Sequence, residues 1–253
     1  MRVQPKAVIS LVILVVYMAI VAAVWLINNV DYDTVGDTTS NIVKGIVVPV
    51  GIGAAFLAVA ATWLGWWRPA LIEGTKVGPR WAILLPVAMF VFVLLGVSGI
   101  DFGSDSAKVL PILALGTALV GFSEEFMTRG LMLVGFRGSM SEVWAWFLTA
   151  FLFGLLHGLN VFFGQSVGTT AFQMVFAFVL GSAFYLVRRI TGLLVVGMVI
   201  HALWDFGAIG TDATSGTVPL ASNLFIWIVV TLTVVLLVKV LRTAKDVPAP
   251  QPA

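Results

Sequence analysis

The chain has no cysteine in its 253 residues. Disulfides, thiolate metal sites and cysteine nucleophiles are therefore excluded, and the redox compartment leaves no mark. Charge is also scarce: Asp, Glu, Lys and Arg make up 10% of the residues, against 60% hydrophobic ones. That balance excludes an ordinary soluble globular domain and points to a polytopic membrane protein. There is no long polar block and no internal repeat, so one domain is expected over 1–246, with a motif-bearing core at 109–209. The remaining 247–253, Val-Pro-Ala-Pro-Gln-Pro-Ala, reads as a disordered proline-rich tail. A net charge of +2 gives no ground for a nucleic-acid partner, and the oligomeric state is not legible.

What fills the chain is apolar windows. They fall at about Ala7–Ile27, Ile42–Leu64, Trp81–Gly99, Val109–Phe136, Val143–Leu159, Thr169–Val187, Gly192–Ile209 and Ser222–Leu241. Each is near the roughly 20 residues that cross a bilayer as a helix, so the expected fold class is all-α with about eight transmembrane helices. The first window is longer than a signal-peptide core of roughly 7–15 residues and is taken as a retained span. Loop charge sets the orientation. With the N-terminus in the cytoplasm, that side holds Arg2, Lys6, Arg68, Lys76, Arg80, Arg137, Arg188, Arg189, Lys239, Arg242 and Lys245. The other side holds Lys44 and Lys108, with Asp31, Asp33, Asp37, Asp101, Asp105 and Asp212. This positive-inside bias predicts a multi-pass protein of the cell membrane, embedded in the lipid bilayer with both termini cytoplasmic. Trp25, Trp63, Trp66, Trp67, Trp81, Trp144 and Trp146 are expected near the interfaces. Gly154 and Gly158 on span five, and Ala177 and Gly181 on span six, suggest close helix contacts. The uncharged stretch 160–168, with Phe162 and Phe163, is expected against the membrane surface.

Against this background a few polar residues stand out. Span four carries Ser123-Glu124-Glu125-Phe126-Met127-Thr128-Arg129. Charges at that depth are costly and mark function by default. Glu125 and Arg129 are four apart and share a helix face, so they can pair. Glu124 lies about 100° round the helix and has no such partner. A structural ion pair accounts for Glu125 and Arg129 but not for Glu124. Both histidines of the chain, His157 and His201, are also within spans, and His201 shares a face with Asp205. Phe153 stands one turn from His157. Glu125 is twelve residues from Arg137, His201 twelve from Arg189 and His157 thirteen from Trp144. At 1.5 Å per residue, each is then roughly 18 Å from the side of the basic loops. Carboxylate and imidazole from three helices reach one level, which predicts a site. The basic loops and matched depths further predict that this site opens toward the cytoplasm or into the inner leaflet.

In order along the chain, Glu124-Glu125-x-x-x-Arg129, Phe153-x-x-x-His157 and His201-x-x-x-Asp205 resemble the EExxxR, FxxxH and HxxxD/N motifs of the CAAX-protease and bacteriocin-processing family, also called CPBP or Abi. The resemblance covers Glu124 to Asp205 and, outside it, rests on the number of spans. It implies an intramembrane endopeptidase acting on membrane-associated peptides or proteins. Carried over, Glu124 is the general base, His157 helps orient or deprotonate water, His201 holds the oxyanion, and Asp205 orients His201 or donates itself. Glu125, Arg129 and Phe153 support the site. Asp205 replaces the alternative asparagine, and a carboxylate donates only when protonated. A glutamate-type reaction and a metalloprotease are both open, because Glu124, His157, His201 and Asp205 are also N/O ligands of the kind that hold Zn. HExxH and GxGD are absent, and Ser123 is followed by glutamate where a rhomboid-like serine has glycine. Two other classes compete with the protease. Buried Glu, His and Asp also build the relays of proton-coupled transporters, although no inverted repeat is present. A non-catalytic immunity or scaffold protein is the third reading.

Overall fold

A computed structural model describes residues 1–244, so Lys245 and the tail expected at 247–253 lie outside the described residues. Among these residues, eight helices are long and apolar enough to cross a membrane. Spans one to four are Ala7–Asn28, Thr39–Leu64, Arg80–Val97 and Asp105–Arg137. Spans five to eight are Glu142–Phe163, Val167–Thr191, Leu194–Ala213 and Leu220–Arg242. All eight expected windows are present. Helix is the form such sequences must take in lipid, where each backbone N–H and C=O needs a partner within its own segment. The helices stop where that partner is supplied another way. Asn29 (φ 48°) closes span one, its N–H bonding back to Leu26 and Trp25 carbonyls. Gly192 (φ 82°) closes span six on the Arg188 carbonyl.

Spans four and seven lie side by side and approach closely. A Cβ at Gly121 would sit 2.5 Å from the Met198 carbonyl oxygen and 2.8 Å from the Ala202 nitrogen. Spans five and six are as close at Gly154, where a Cβ would meet the Met174 carbonyl at 2.5 Å. Gly158 is in looser contact, 3.5 Å from the Met174 sulfur, so the expected Gly-x-x-x-Gly contact is made by one of its two glycines. Gly181 also leaves room, but for a side chain: its missing Cβ would lie 2.6 Å from Arg129 Nη2.

Two of the tryptophans expected near the interfaces, Trp25 and Trp66, stand at span ends and are buried within the protein. Trp66 is 0% exposed and donates its indole N–H to the Val3 carbonyl at 2.8 Å. Trp25 donates to the Gly45 carbonyl at 2.8 Å. Gly45 lies in a π-helical stretch, Val43–Val47, whose wider turn interrupts the regular α-helical ladder and opens backbone groups to other partners. Of the two phenylalanines expected at the surface, Phe162 is 80% exposed, whereas Phe163 packs edge-on against Trp25 at 5.0 Å.

The two ends of the bundle are built differently. The end that carries the N-terminus and most basic residues is closed by an ionic network that the sequence reading did not foresee. Arg137 binds Glu73 at 3.0 Å and Glu142 at 2.6 Å. Arg188 binds Glu73 at 3.0 Å and the Pro69 carbonyl at 2.7 Å. Arg189 pairs with Glu142, which also accepts from the Tyr185 hydroxyl at 2.6 Å. Beneath it the helix surfaces are fully packed: Phe126, Leu131, Met132, Ala183, Tyr185, Leu186 and Leu194 are each 0% exposed. The opposite end is formed by loops 29–38, 98–104 and 214–219 and the turn at 164–166, and its aspartates are Asp31, Asp33, Asp37, Asp101, Asp105 and Asp212.

The packing gives a direct test. Gly121→Val forces spans four and seven apart at a backbone contact and is expected to cost on the order of 1–3 kcal/mol. Its melting temperature in detergent should fall well below that of Gly168→Ala, where a Cβ meets nothing within 4 Å.

Candidate active site

Span four is α-helical through Glu125 and π-helical over Phe126–Met132. Such insertions mark functional positions more often than chance. Thr128 Oγ1 caps the Glu124 carbonyl at 2.5 Å just where the geometry changes. The paired residues are fully buried: Arg129 Nη1 lies 2.8 Å from Glu125 Oε1, with both side chains 0% exposed. Arg129 Nη1 also reaches Thr128 Oγ1 at 2.7 Å, and its Nε donates to the Gly181 carbonyl at 3.3 Å. The guanidinium lies 3.9 Å over the Phe153 ring, a cation–π contact in an apolar surround.

Glu125 has a second partner that residue spacing could not show. Its Oε1 is 3.1 Å from His201 Nδ1. A carboxylate paired with arginine accepts, so Nδ1 carries the proton and donates. That fixes the imidazole and turns Nε2 toward Glu124 and Asp205. Nε2 is 3.7 Å from Glu124 Oε2 and 3.6 Å from Asp205 Oδ2. Phe184 stacks on the imidazole at 5.1 Å and 17°, and Phe153 meets it edge-on at 5.9 Å. Phe184 was missed by sequence reading, because a phenylalanine in an apolar helix carries no signal.

His157 stands where span five tightens from α-helix to 3-10 helix, at the start of His157–Phe163. Its Nδ1 is 2.9 Å from the Phe153 carbonyl. A carbonyl only accepts, so Nδ1 donates, and Nε2 of the neutral ring is left with a lone pair. The Phe153 ring stands edge-on to it at 5.2 Å. The two histidines are thus oriented by different partners, a backbone carbonyl for His157 and a carboxylate for His201.

Glu124, His157, His201 and Asp205 all line one cavity of about 300 Å³. Glu125 and Arg129 stand behind it and do not line it. The expected division of the two glutamates, one facing the site and one bracing it, is therefore present in the geometry. The rest of the lining mixes apolar and polar groups, including Tyr17, Trp25 and Trp204 beside Tyr32, Asn160 and Gln173. The last three form a chain: Asn160 Nδ2 donates to Gln173 Oε1 at 3.0 Å, and Gln173 Nε2 to the Tyr32 hydroxyl at 3.2 Å. Burial pushes the Tyr32 phenol above its ordinary pKa, so the hydroxyl stays protonated. Of this chain only Gln173 is legible in the sequence as a polar group within a span.

The cavity's lining extends toward the end opposite the basic loops, whereas the sequence reading had the site face the basic side. Tyr32 and Val35 belong to the loop after span one, Gly45 and Ile46 to the start of span two, Asn160 to the end of span five, and Ala208 and Ile209 to the end of span seven. These all belong to the aspartate-rich end. The matched distances from the basic loops placed the residues at one level but carried no information on which side was packed solid.

A catalytic metal is one of the readings of this donor set. Among the described residues, no group of three or more His, Asp or Glu side chains is arranged to hold a metal ion. His201 Nδ1 donates to Glu125 and His157 Nδ1 to a carbonyl, the same outer contacts that orient metal-binding histidines, and Nε2 of each ring has neither partner. No step is routed through a metal.

Comparison with known proteins agrees with the motifs. Residues 105–207 match the family model described as type II CAAX prenyl endopeptidase Rce1-like. The matched segment runs from the start of span four into span seven and includes all three motifs, so it supports an intramembrane CAAX-type endopeptidase at the level of the family. No curated protein and no solved structure matches the chain.

The buried pair yields a second test. Glu125→Gln leaves Arg129 in the core without its counter-ion and should destabilise by about 3–5 kcal/mol. Arg129→Met made in the same chain should restore much of the loss, read as melting temperature in detergent. A double variant no more stable than Glu125→Gln alone would show that the pair is not the source of the loss.

Proposed function

We propose that this CAAX-protease-type chain hydrolyses peptide bonds within the membrane by direct attack of a water molecule, with Glu124 as general base. The single observation that supports this best is the sharing of one cavity by Glu124, His157, His201 and Asp205, with Glu124 and Asp205 both within 3.7 Å of His201 Nε2. Glu124 faces the cavity without an arginine partner, so its oxygens are available to a reacting water. His157 supplies an acceptor at Nε2 on the same cavity and positions that water. The water oxygen adds to the scissile carbonyl carbon, and its proton passes to Glu124. Negative charge then builds on the carbonyl oxygen.

Donors aimed at that oxygen contribute most when they are fixed beforehand. His201 is such a group. As the imidazolium it donates from Nδ1 to Glu125 and from Nε2 to the oxyanion, with its plane held by Phe184 and Phe153. Glu125 thereby acts on the reaction through His201, in addition to bracing Arg129. Asp205, one turn away, flanks the same Nε2 and helps hold it toward the reacting centre. Collapse of the tetrahedral intermediate breaks the C–N bond, and Glu124 returns its proton to the leaving amine.

The test is cleavage by purified protein. Glu124→Gln should abolish turnover of a fluorogenic membrane peptide while keeping or raising the melting temperature, since it removes a largely buried carboxylate that has no arginine partner. His201→Ala should lose about 10²–10³ in rate, the usual scale for a lost oxyanion donor. Wild-type turnover should survive dialysis against a chelator. Normal cleavage by Glu124→Gln would remove it as base. Uptake into liposomes driven by a pH gradient, with no cleavage, would favour a transporter.

A further inference from the structure

We propose that the cavity takes its polypeptide from the extracytoplasmic side of the membrane, so that the bonds cut lie in segments exposed on, or inserted from, the outer face. The inference rests on the proteolytic reading above for its substrate and on loop charge for its side.

Three observations converge on it. First, the lining runs from mid-span residues such as Tyr17, Glu124 and His201 to the aspartate-rich end, at Tyr32, Val35, Gly45, Asn160 and Ile209. Second, side-chain exposure rises toward that end. It is 0% for Glu125, 8% for His201, 16% for Glu124 and 25% for Asp205, which stands one turn nearer the acidic loops than His201. Ala208, a further turn along span seven, lines the cavity and is exposed. Third, the other direction is shut. Between the site and the basic end lie the fully buried Phe126, Leu131, Tyr185 and Leu194, capped by the Glu73–Arg137–Glu142–Arg188–Arg189 network.

Loop charge then names the sides. Lys and Arg gather on cytoplasmic loops, and here Arg2, Lys6, Arg68, Lys76, Arg80, Arg137, Arg188 and Arg189 all mark the closed end. The open end carries Asp31, Asp33, Asp37, Asp101, Asp105 and Asp212 against Lys44 and Lys108. The open end is therefore the outer one. A cytoplasmic C-terminal tail could not reach Glu124 without crossing the packed half of the bundle. A polypeptide that has already been exported, or that enters from the outer leaflet, meets Asp205 and Glu124 directly.

The chain's lack of cysteine makes the test clean. Single cysteines are placed at Ala208 in the cavity, at Phe162 on the acidic end and at Thr75 in the basic-end loop. Cells are treated with a membrane-impermeant maleimide, intact or permeabilised. Ala208→Cys and Phe162→Cys should be modified in intact cells to the extent reached after permeabilisation, and Thr75→Cys only after permeabilisation. The reverse pattern overturns the proposal. So does Ala208→Cys that resists the reagent in intact cells while Phe162→Cys reacts. In parallel, new peptide termini present with the wild type and absent with Glu124→Gln are mapped on membrane and secreted proteins. Termini in extracytoplasmic segments support the proposal, and termini confined to cytoplasmic tails overturn it. If no Glu124-dependent terminus exists, the proteolytic reading fails and its substrate assignment with it, while the labelling still decides which side the cavity faces.

Discussion

The interaction on which the bundle's interior depends is the Oε1 atom of Glu125, shared between Arg129 Nη1 at 2.8 Å and His201 Nδ1 at 3.1 Å. Burying one charge in an apolar medium is prohibitive, and burying a matched pair is tolerable only when the remaining hydrogen-bonding capacity is used. Here part of that capacity is spent on other helices, while Glu125 Oε2 and Arg129 Nη2 are buried without a hydrogen-bond partner among the described residues. Arg129 reaches the Gly181 carbonyl on span six and lies against Phe153 of span five, while Glu125 holds span seven through His201. A single ion pair thus fixes four helices relative to one another, and the chemistry is arranged around it.

The π-helical turn over Phe126–Met132 extends the same logic toward the basic end. Arg188, itself 1% exposed, donates to the Arg129 carbonyl within that turn and binds Glu73 with its Nε at 3.0 Å. The buried pair and the ionic cap are therefore joined through one backbone carbonyl. This explains how a helix can carry a broken ladder at its most crowded point: the groups released by the wider turn are taken up by a neighbour, which is the condition for any irregular backbone at membrane depth.

Much of this was legible before the structure. Eight spans follow from apolar length, and the Glu125–Arg129 pair follows from helical spacing. The triple of motifs named four of the residues that line the cavity. What was not legible has a common cause. The Glu125–His201 bond joins residues 76 apart, and no periodicity within one helix reports a contact between two. Phe184 is one apolar residue among many until it is seen stacked on an imidazole. The basic loops were readable as a topology signal but not as a lid, because the partner carboxylates Glu73 and Glu142 look like ordinary loop charges. Which half of the bundle lines the cavity was not legible for the same reason. Depth along a helix is a one-dimensional quantity, whereas access depends on which half of the bundle is packed, as the fully buried Leu131 and Tyr185 are.

The packing also bears on how hydrolysis can run inside lipid. Peptide hydrolysis consumes water, yet the groups that stabilise its transition state act best where water is scarce. This fold separates the two demands along one axis. On the closed side, His201 Nδ1, Glu125 and Arg129 are set in a dry shell of Phe153 and Phe184, where their fields are least screened. On the open side, Asp205, Gln173, Asn160 and Tyr32 line the approach with hydrogen-bonding groups that can accompany water and a peptide backbone inward. Glu124 and His157 stand at the boundary, where a base must meet both a water and a polarised carbonyl. Asp205 belongs to the wetter side by its 25% exposure, so its carboxylate can keep contact with water while flanking His201 Nε2 at 3.6 Å. An asparagine there would donate directly from its amide. On the mechanism proposed, an aspartate instead acts through the histidine, and the imidazole carries the larger share of holding the oxyanion.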